Sequence, residues 1–288
     1  MFTFAQISDF HISAPDGTAN SMYRTRRHLE VAVEHLNNLV PRPEFVLCTG
    51  DLVDGGGADQ YAVLAGVLKQ LQMPFYLIPG NHDDRDGIRR HFPEHGYLME
   101  MAGSDGFIQY TLEDWGPRFI ALDTLVPGQT GGRLCQTRLG WLDDRLGDQP
   151  DRPTIIFMHH PPFRTGLARM DLKGLEDGAA LVEILRRHDN IEAVLAGHLH
   201  RYITHRFAGT IAVTAPATAH QIALDLDDPD SLRVIMEPPG GLLHVWFGGD
   251  DGLVSHQIYT GGGYGDHLIF ANGAYHPKGT PPGPAIAL

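Results

Sequence analysis

Eight residues with metal-binding or acid–base side chains punctuate this chain at the ends of apolar runs: Asp9, His11, Asp51, Asn81, His82, His159, His198 and His200. Asp9 and His11 lie two apart, which puts a carboxylate and an imidazole on one side of an extended segment. Asp51 follows Gly50, where the missing side chain allows a tight turn, and a carboxylate there can bridge two cations. Asn81 offers a neutral carbonyl oxygen, and His159, His198 and His200 offer nitrogens. The set contains no thiolate, which disfavours iron–sulfur and structural zinc sites; mixed O/N ligation suits Mn, Fe, Zn or Co. Seven such ligands beside a free His82 point to a two-metal hydrolytic site, in which paired cations clamp the attacking and leaving oxygens of an in-line displacement.

The elements that must position these residues read from the hydrophobic pattern. Phe2–Ser8, Phe45–Thr49 and Phe75–Ile78 are strand-like runs that stop at Asp9, Gly50-Asp51 and Pro79-Gly80-Asn81-His82. Between them, Leu29, Ala32, Val33, Leu36 and Leu39, then Tyr61, Leu64, Ala65, Leu68 and Leu71, recur at helical spacing. The start is therefore β-α-β-α-β, and strand ends of one parallel-type sheet would converge along one edge. Phe107–Leu112 and Phe119–Asp123 read as a hairpin, followed by a helix near Leu139–Leu146. Thr154–Met158 is a strand ending at His159-His160, and Ala193–Ala196 one ending at Gly197-His198-Leu199-His200, with a helix around Leu181–Leu185 between them. Thr210–Thr214, Ile222–Leu226, Leu242–Phe247 and Leu253–Tyr259 follow without helices, which predicts two mixed sheets face to face with helices outside, an α/β four-layer αββα sandwich.

The domain plan is one catalytic domain over residues 1–260, with residues 225–241 a candidate cap insertion, and a Gly/Pro-rich C-terminal extension over 261–288. Within the extension Leu268-Ile269-Phe270 is apolar, a candidate for docking on the domain or on another subunit, so the cap and tail are the candidate homo-oligomer contacts.

Composition narrows the partners. The 288 residues are 42% hydrophobic, enough for a sizeable core, and carry a net charge of −13. Such a chain repels polyanions, which argues against long nucleic acid but not against a small phosphate ester drawn in by metals. The 17 histidines are the compositional outlier. Two cysteines, Cys48 in an apolar run and Cys135, form no CxxC pattern, which fits a reducing compartment. No apolar stretch approaches a membrane span and the chain enters its first strand at Phe2, so the expectation is a cytoplasmic protein without membrane contact.

Taken together, Asp9-Phe10-His11, Gly50-Asp51, Gly80-Asn81-His82-Asp83, His159 and Gly197-His198-Leu199-His200 resemble the signature of the calcineurin-like metallophosphoesterases, in the family's order over about two hundred residues. The local text Leu77–Asp84 and Phe157–Pro162 is similar to the branch holding class III cyclic-nucleotide phosphodiesterases and glycerophosphodiesterases. The resemblance implies the metallophosphoesterase fold and two divalent ions. Asp9, His11, Asp51 and His200 would hold one ion; Asp51, Asn81, His159 and His198 the other. His82 would contact the phosphoryl group, and His220 would lie near the substrate. The expected reaction is hydrolysis of a small phosphodiester, 3′,5′-cyclic nucleotides (cAMP) foremost, by a hydroxide shared between the metals. Asp51 and His82 are the catalytic candidates, with His82 or a water protonating the leaving alkoxide. A glycerophosphodiesterase or a broad phosphomono/diesterase is the alternative. A non-catalytic scaffold on the same fold is disfavoured because no ligand is missing.

His160 adjoins a ligand but should point to the opposite face of its strand, in a supporting role. Gly55-Gly56-Gly57 lacks the Lys-Ser/Thr of a phosphate-binding P-loop. Asp54 stands where purple acid phosphatases have a Tyr, which sets that branch aside.

Overall fold

A computed structural model of the chain describes residues 1–14, 16–101, 106–176, 178–261, 270–271 and 274–275. The first part runs β1 (Phe2–Ile7), α1 (Thr18–Tyr23), α2 (Thr25–Asn38), β2 (Val46–Cys48), α3 (Ala58–Leu68), β3 (Phe75–Leu77) and α4 (Arg85–His91). The middle comprises β4 (Tyr110–Leu112), β5 (Arg118–Leu122), α5 (Gln136–Asp148), β6 (Thr154–Met158), α6 (Gly178–Leu185) and β7 (Ile191–Ala196). The remaining strands are β8 (Ile203–Phe207), β9 (Thr210–Thr214), β10 (Gln221–Ile222), β11 (Val234–Ile235), β12 (Gly240–Trp246) and β13 (Leu253–Tyr259).

Two mixed sheets result. One has the order β13-β12-β1-β2-β3, the other β4-β5-β6-β7-β9-β8. In the first, β1, β2 and β3 are parallel, while β12 runs antiparallel to β1. In the second, β5, β6, β7 and β9 are parallel, edged by antiparallel β4 and β8.

Alternation along the strands produces the layers. On β1, the Phe4 ring meets Phe119 of the second sheet edge-on at 5.0 Å, and Gln6 donates to the Ala196 carbonyl of β7. On the second sheet, Phe119, Ala121, Ile155, Phe157, Ala193 and Leu195 share the inter-sheet core, which also runs on to α2 and α3 through Leu29, Val33, Leu36, Tyr61 and Leu64. Their strand neighbours Ile120, Leu122, Ile156, Met158, Val194 and Ala196 pack instead with Leu142 and Leu146 of α5 and Leu181 and Leu185 of α6. This is the αββα sandwich that the hydrophobic pattern predicts.

The expectation that the strand ends converge along one edge of a single parallel-type sheet is corrected. β1, β2 and β3 belong to one sheet and β6 and β7 to the other, so the ends meet across the sandwich rather than along a single edge. A parallel bridge between Ser8 and Ala217 and the Gln6–Ala196 bond hold the two sheets together beneath that meeting point.

Three elements lack a periodic signal. α4 is polar apart from buried Ile88 and starts on Asp84, whose carboxylate accepts from Gly87 N at 2.6 Å. α1 is a six-residue helix ended by Arg24 at φ 53°. β8 is an edge strand with Thr204, His205 and Arg206 exposed. The strand expected over Ile222–Leu226 shortens to Gln221–Ile222, because the Asp225 carboxylate accepts from the Asp227 and Asp228 amides and from Arg233, turning the chain. β10 then pairs with β11 as a small separate ribbon; β11 falls within residues 225–241, the segment expected as a cap insertion, and β10 lies just before it.

Of the expected C-terminal extension, the pair Phe270–Ala271 and Ala274–Tyr275 forms an antiparallel ribbon; Leu268 and Ile269 lie outside the described residues. Cys48 is a buried free thiol. Among the described residues no helix is long and apolar enough to cross a membrane.

Candidate dimetal site

The candidate ligands sit in the turns leaving five strands, and their backbones are unusual. Among the described residues, seven non-glycine residues have positive φ, and five of them are Asp9 (56°), His11 (46°), Asp51 (47°), His198 (70°) and His200 (49°). Left-handed backbone costs energy in residues with a Cβ and persists only where surrounding structure enforces it, typically at functional sites. Asp51 is forced into place from both sides. Gly50, at φ 93°, leaves no room for a side chain, since a Cβ there would lie 2.4 Å from His159 Nδ1. A Cβ on Gly80 would lie 2.2 Å from both Asp51 N and Asp51 Oδ1. Gly80→Ala should therefore cost about 1–3 kcal/mol of unfolding free energy and loosen metal binding together. Gly66→Ala, on α3 with nothing within 4 Å of the added carbon, is the control and should be neutral or stabilising. Denaturant melts and metal analysis of the two variants check this; equal melts for both would refute the close packing of Gly80 on Asp51.

The side chains converge in two groups around one atom. Asp51 Oδ2 lies 3.6 Å from His11 Nε2 and 3.3 Å from His159 Nε2. On the first side, His200 Nε2 is 3.1 Å from His11 Nε2 and 3.4 Å from Asp9 Oδ1. On the second, His159 Nε2 is 3.2 Å from Asn81 Oδ1, and the His198 ring lies 5.1 Å from that of His159. Asp9, His11, Asp51, His159, His198 and His200 are all buried.

Oxygens behind the imidazoles decide which nitrogen faces inward. His159 Nδ1 donates to Thr49 O at 2.8 Å, His200 Nδ1 to His220 O at 2.9 Å, and His198 Nε2 to Lys173 O at 3.2 Å. His11 Nδ1 lies 3.4 Å from Asp54 Oδ1. In the neutral form of each ring the opposite nitrogen would turn its lone pair toward the cluster, the arrangement by which supporting hydrogen bonds orient metal-binding histidines. Ring nitrogens and oxygens of His11, His200, Asn81, His159 and Asp51 thus come within 3.1–3.6 Å of one another, an arrangement that protons or cations between them would satisfy. The donor set fits divalent cations on both sides of Asp51 Oδ2.

The electrostatics of the protein alone divide the rings. Burial would lower His159, but Asp51 and Asp9 outweigh it and raise it to about 9. Burial would raise Asp51, yet His159 and His11 hold it well below the usual carboxylate range. Burial, with Asp51 adding to it, lifts Asp9 to about 6. His198 is lowered to about 3 by burial and by His159, and His200 well below its usual value by burial and by His11. These two rings are neutral, as ligation demands.

His82 and His220 stand at the mouth. The His82 backbone amide donates to Asp51 Oδ1 at 2.9 Å, while its ring Nδ1 donates to Asp54 O at 2.9 Å. The His220 ring lies 4.8 Å from His200, with Nδ1 buried and without a hydrogen-bond partner. A cavity of about 270 Å³ opens here, lined by His82, His220, Tyr23, Lys173 and the ribbon residues Ile222, Leu232 and Val234. His160 is close by, 4.5 Å from His198 ring to ring, but Thr124 Oγ1 and Thr130 O engage its two nitrogens.

The structure therefore brings together every residue singled out in the sequence, and adds supports that carry no local signal. Asp83 is buried and accepts from Leu52 N, Val53 N, Gly80 N and the Tyr61 hydroxyl, tying the β2 and β3 turns together. Asp54 braces both His11 and His82. Only the text around Gly-Asn-His-Asp hinted at the former.

Residues 2–202 match the calcineurin-like phosphoesterase family. A probable glycerophosphodiester phosphodiesterase of Arcobacter nitrofigilis is 35% identical, covering 89% of this chain and 92% of the relative. A probable cyclic nucleotide phosphodiesterase of Rhodopseudomonas palustris is 34% identical, covering 88% and 91%. Among solved structures, a dimetal phosphatase from Danio rerio shares the fold, with a TM-score of 0.63 at 17% identity over 90% of this chain and 99% of that one. The chain belongs to the calcineurin-like phosphoesterase family.

Proposed function

We propose that this chain is a metal-dependent phosphodiesterase acting on small diesters, 3′,5′-cyclic nucleotides such as cAMP foremost. The observation that carries the reading is Asp51 Oδ2, placed between inward-facing nitrogens of His11 and His159 in a site where backbone carbonyls fix the other rings. Asp9, His11, Asp51 and His200 would hold one divalent ion, and Asp51, Asn81, His159 and His198 the other; Mn, Fe, Zn and Co all suit these donors. Bound there, the ions supply Lewis acidity and a hydroxide near neutral pH.

The chain's own groups do the rest. His82, held by its Nδ1 to Asp54 O, directs its other nitrogen toward the substrate, where it stabilises a phosphoryl oxygen or passes a proton to the leaving alkoxide. Asn81 orients the same phosphoryl group. The β10–β11 ribbon acts as the cap, closing the cavity over the substrate with Ile222, Leu232 and Val234.

A glycerophosphodiester is the second reading, favoured by the name of the Arcobacter relative. Hydrolysis of bis(4-nitrophenyl) phosphate with added Mn tests the reaction class, and a metal-loaded but inert protein would overturn it. Turnover of cAMP against glycerophosphoethanolamine separates the two substrates.

A further inference from the structure

The cavity has two unlike sides. One is the candidate metal site; the other is built by α1 and the β10–β11 ribbon, neither of which bears a candidate ligand. Tyr23 is the last residue of α1, and its position is firmly set. Buried Ala19 anchors the helix, Ser13 Oγ accepts from Asn20 N at 2.9 Å, and Arg24 at φ 53° turns the chain directly into α2. The Tyr23 ring lies against His220, with centroids 4.5 Å apart and planes at 29°. His220 in turn lies 4.8 Å from His200 and 5.4 Å from His11. A continuous run of rings thus leads from two candidate metal ligands to the rim of the cavity.

The lining also includes Leu232 and Val234, which retain 46% and 40% exposure although both are aliphatic. A flat ring laid on the Tyr23–His220 stack within this cavity would cover apolar surface. The aliphatic wall offers no hydrogen bond to the hydroxyls of a polyol.

We propose that Tyr23 is a specificity-determining residue: with His220 it forms a stacking platform selecting phosphodiesters that carry an aromatic ring, such as a nucleobase, over those that carry only a polyol or an alkylamine. The platform rests on the phosphodiesterase reading of the same site. Base–aromatic stacking is sequence-tolerant and depends on the π-face alone, so the platform distinguishes ring from no ring rather than one base from another.

The test compares cAMP and glycerophosphoethanolamine as substrates of the Mn-loaded protein. Tyr23→Ala should raise KM for cAMP about tenfold, as loss of one stacking contact does, with kcat nearly unchanged and with both constants unchanged for glycerophosphoethanolamine. Tyr23→Phe, which keeps the ring, should behave as the unaltered protein. Equal losses on both substrates would make Tyr23 a structural residue and overturn the platform, as would no loss on either. If the unaltered protein hydrolyses neither diester, the phosphodiesterase reading fails on its own, and calorimetry decides the platform. Binding of adenosine monophosphate should then weaken about tenfold in Tyr23→Ala while glycerol 3-phosphate binding stays the same; unchanged adenosine monophosphate binding would overturn it.

Discussion

Asp51→Ala should lose both metal ions and at least about a thousandfold in phosphodiester turnover. Removal of a single electrostatic donor from an active site already costs ~10²–10³, and in the proposed site Asp51 would serve two ions at once. Its Oδ2 is the atom within 3.3–3.6 Å of nitrogens from both halves of the site. Without it, His11, His200 and Asp9 lack a fourth ligand, and so do His159, His198 and Asn81. The effect on the protein alone points the same way. Asp51 is the chief group that raises His159 against its burial, so the substitution also removes the cluster's central anion. Metal analysis after loading with Mn checks the outcome; two ions retained per chain would remove Asp51 from the bridging position. Asp51→Asn, which keeps an oxygen of the same reach without its charge, should retain part of the metal and separates geometry from charge.

His82→Ala should do the opposite: metal content intact, turnover lower by about 100-fold or more, in the range of a lost general acid or phosphoryl donor. The reason is a division of labour within one residue. The backbone amide of His82 orients Asp51 Oδ1, and that bond survives the substitution. The imidazole donates to Asp54 O, meets the His11 ring edge-on at 4.7 Å and stands at the mouth of the cavity. A variant with unchanged kcat would take His82 out of the reaction, and one that lost metal would show that the ring, not the amide, holds Asp51.

The layers of the fold were legible from the spacing of apolar residues. The alternation of Phe119/Ala121 with Ile120/Leu122, repeated in β6 and β7, can be read only as a sheet with two buried faces, and the stripes of α2, α3 and α6 supply what covers the outer faces. Local periodicity could not reveal which strands share a sheet. β1–β3 and β6–β7 have the same kind of apolar run, and their assignment to two sheets rests on pairings between distant segments, such as β1 with β12. For a related reason α1, α4 and β8 left no trace: each is short, largely polar and stabilised by a cap or an edge pairing rather than by an apolar stripe.

The chemistry shows the same boundary. Residue types and their places after apolar runs singled out, without coordinates, Asp9, His11, Asp51, Asn81, His159, His198 and His200 as a candidate O/N donor set beside His82. A strand end is a local event, and a turn that carries a ligand announces itself through Gly50-Asp51 or Gly80-Asn81. Only the tertiary structure shows that Asp51 Oδ2 lies between His11 and His159, which nitrogen of each ring faces inward, and that Tyr23, Ile222 and Val234 line the cavity. Those facts depend on Thr49, Lys173, His220 and Asp54 oxygens brought in from elsewhere in the chain. A backbone carbonyl has no residue type, so nothing in a sequence marks the one that will hold a histidine in place.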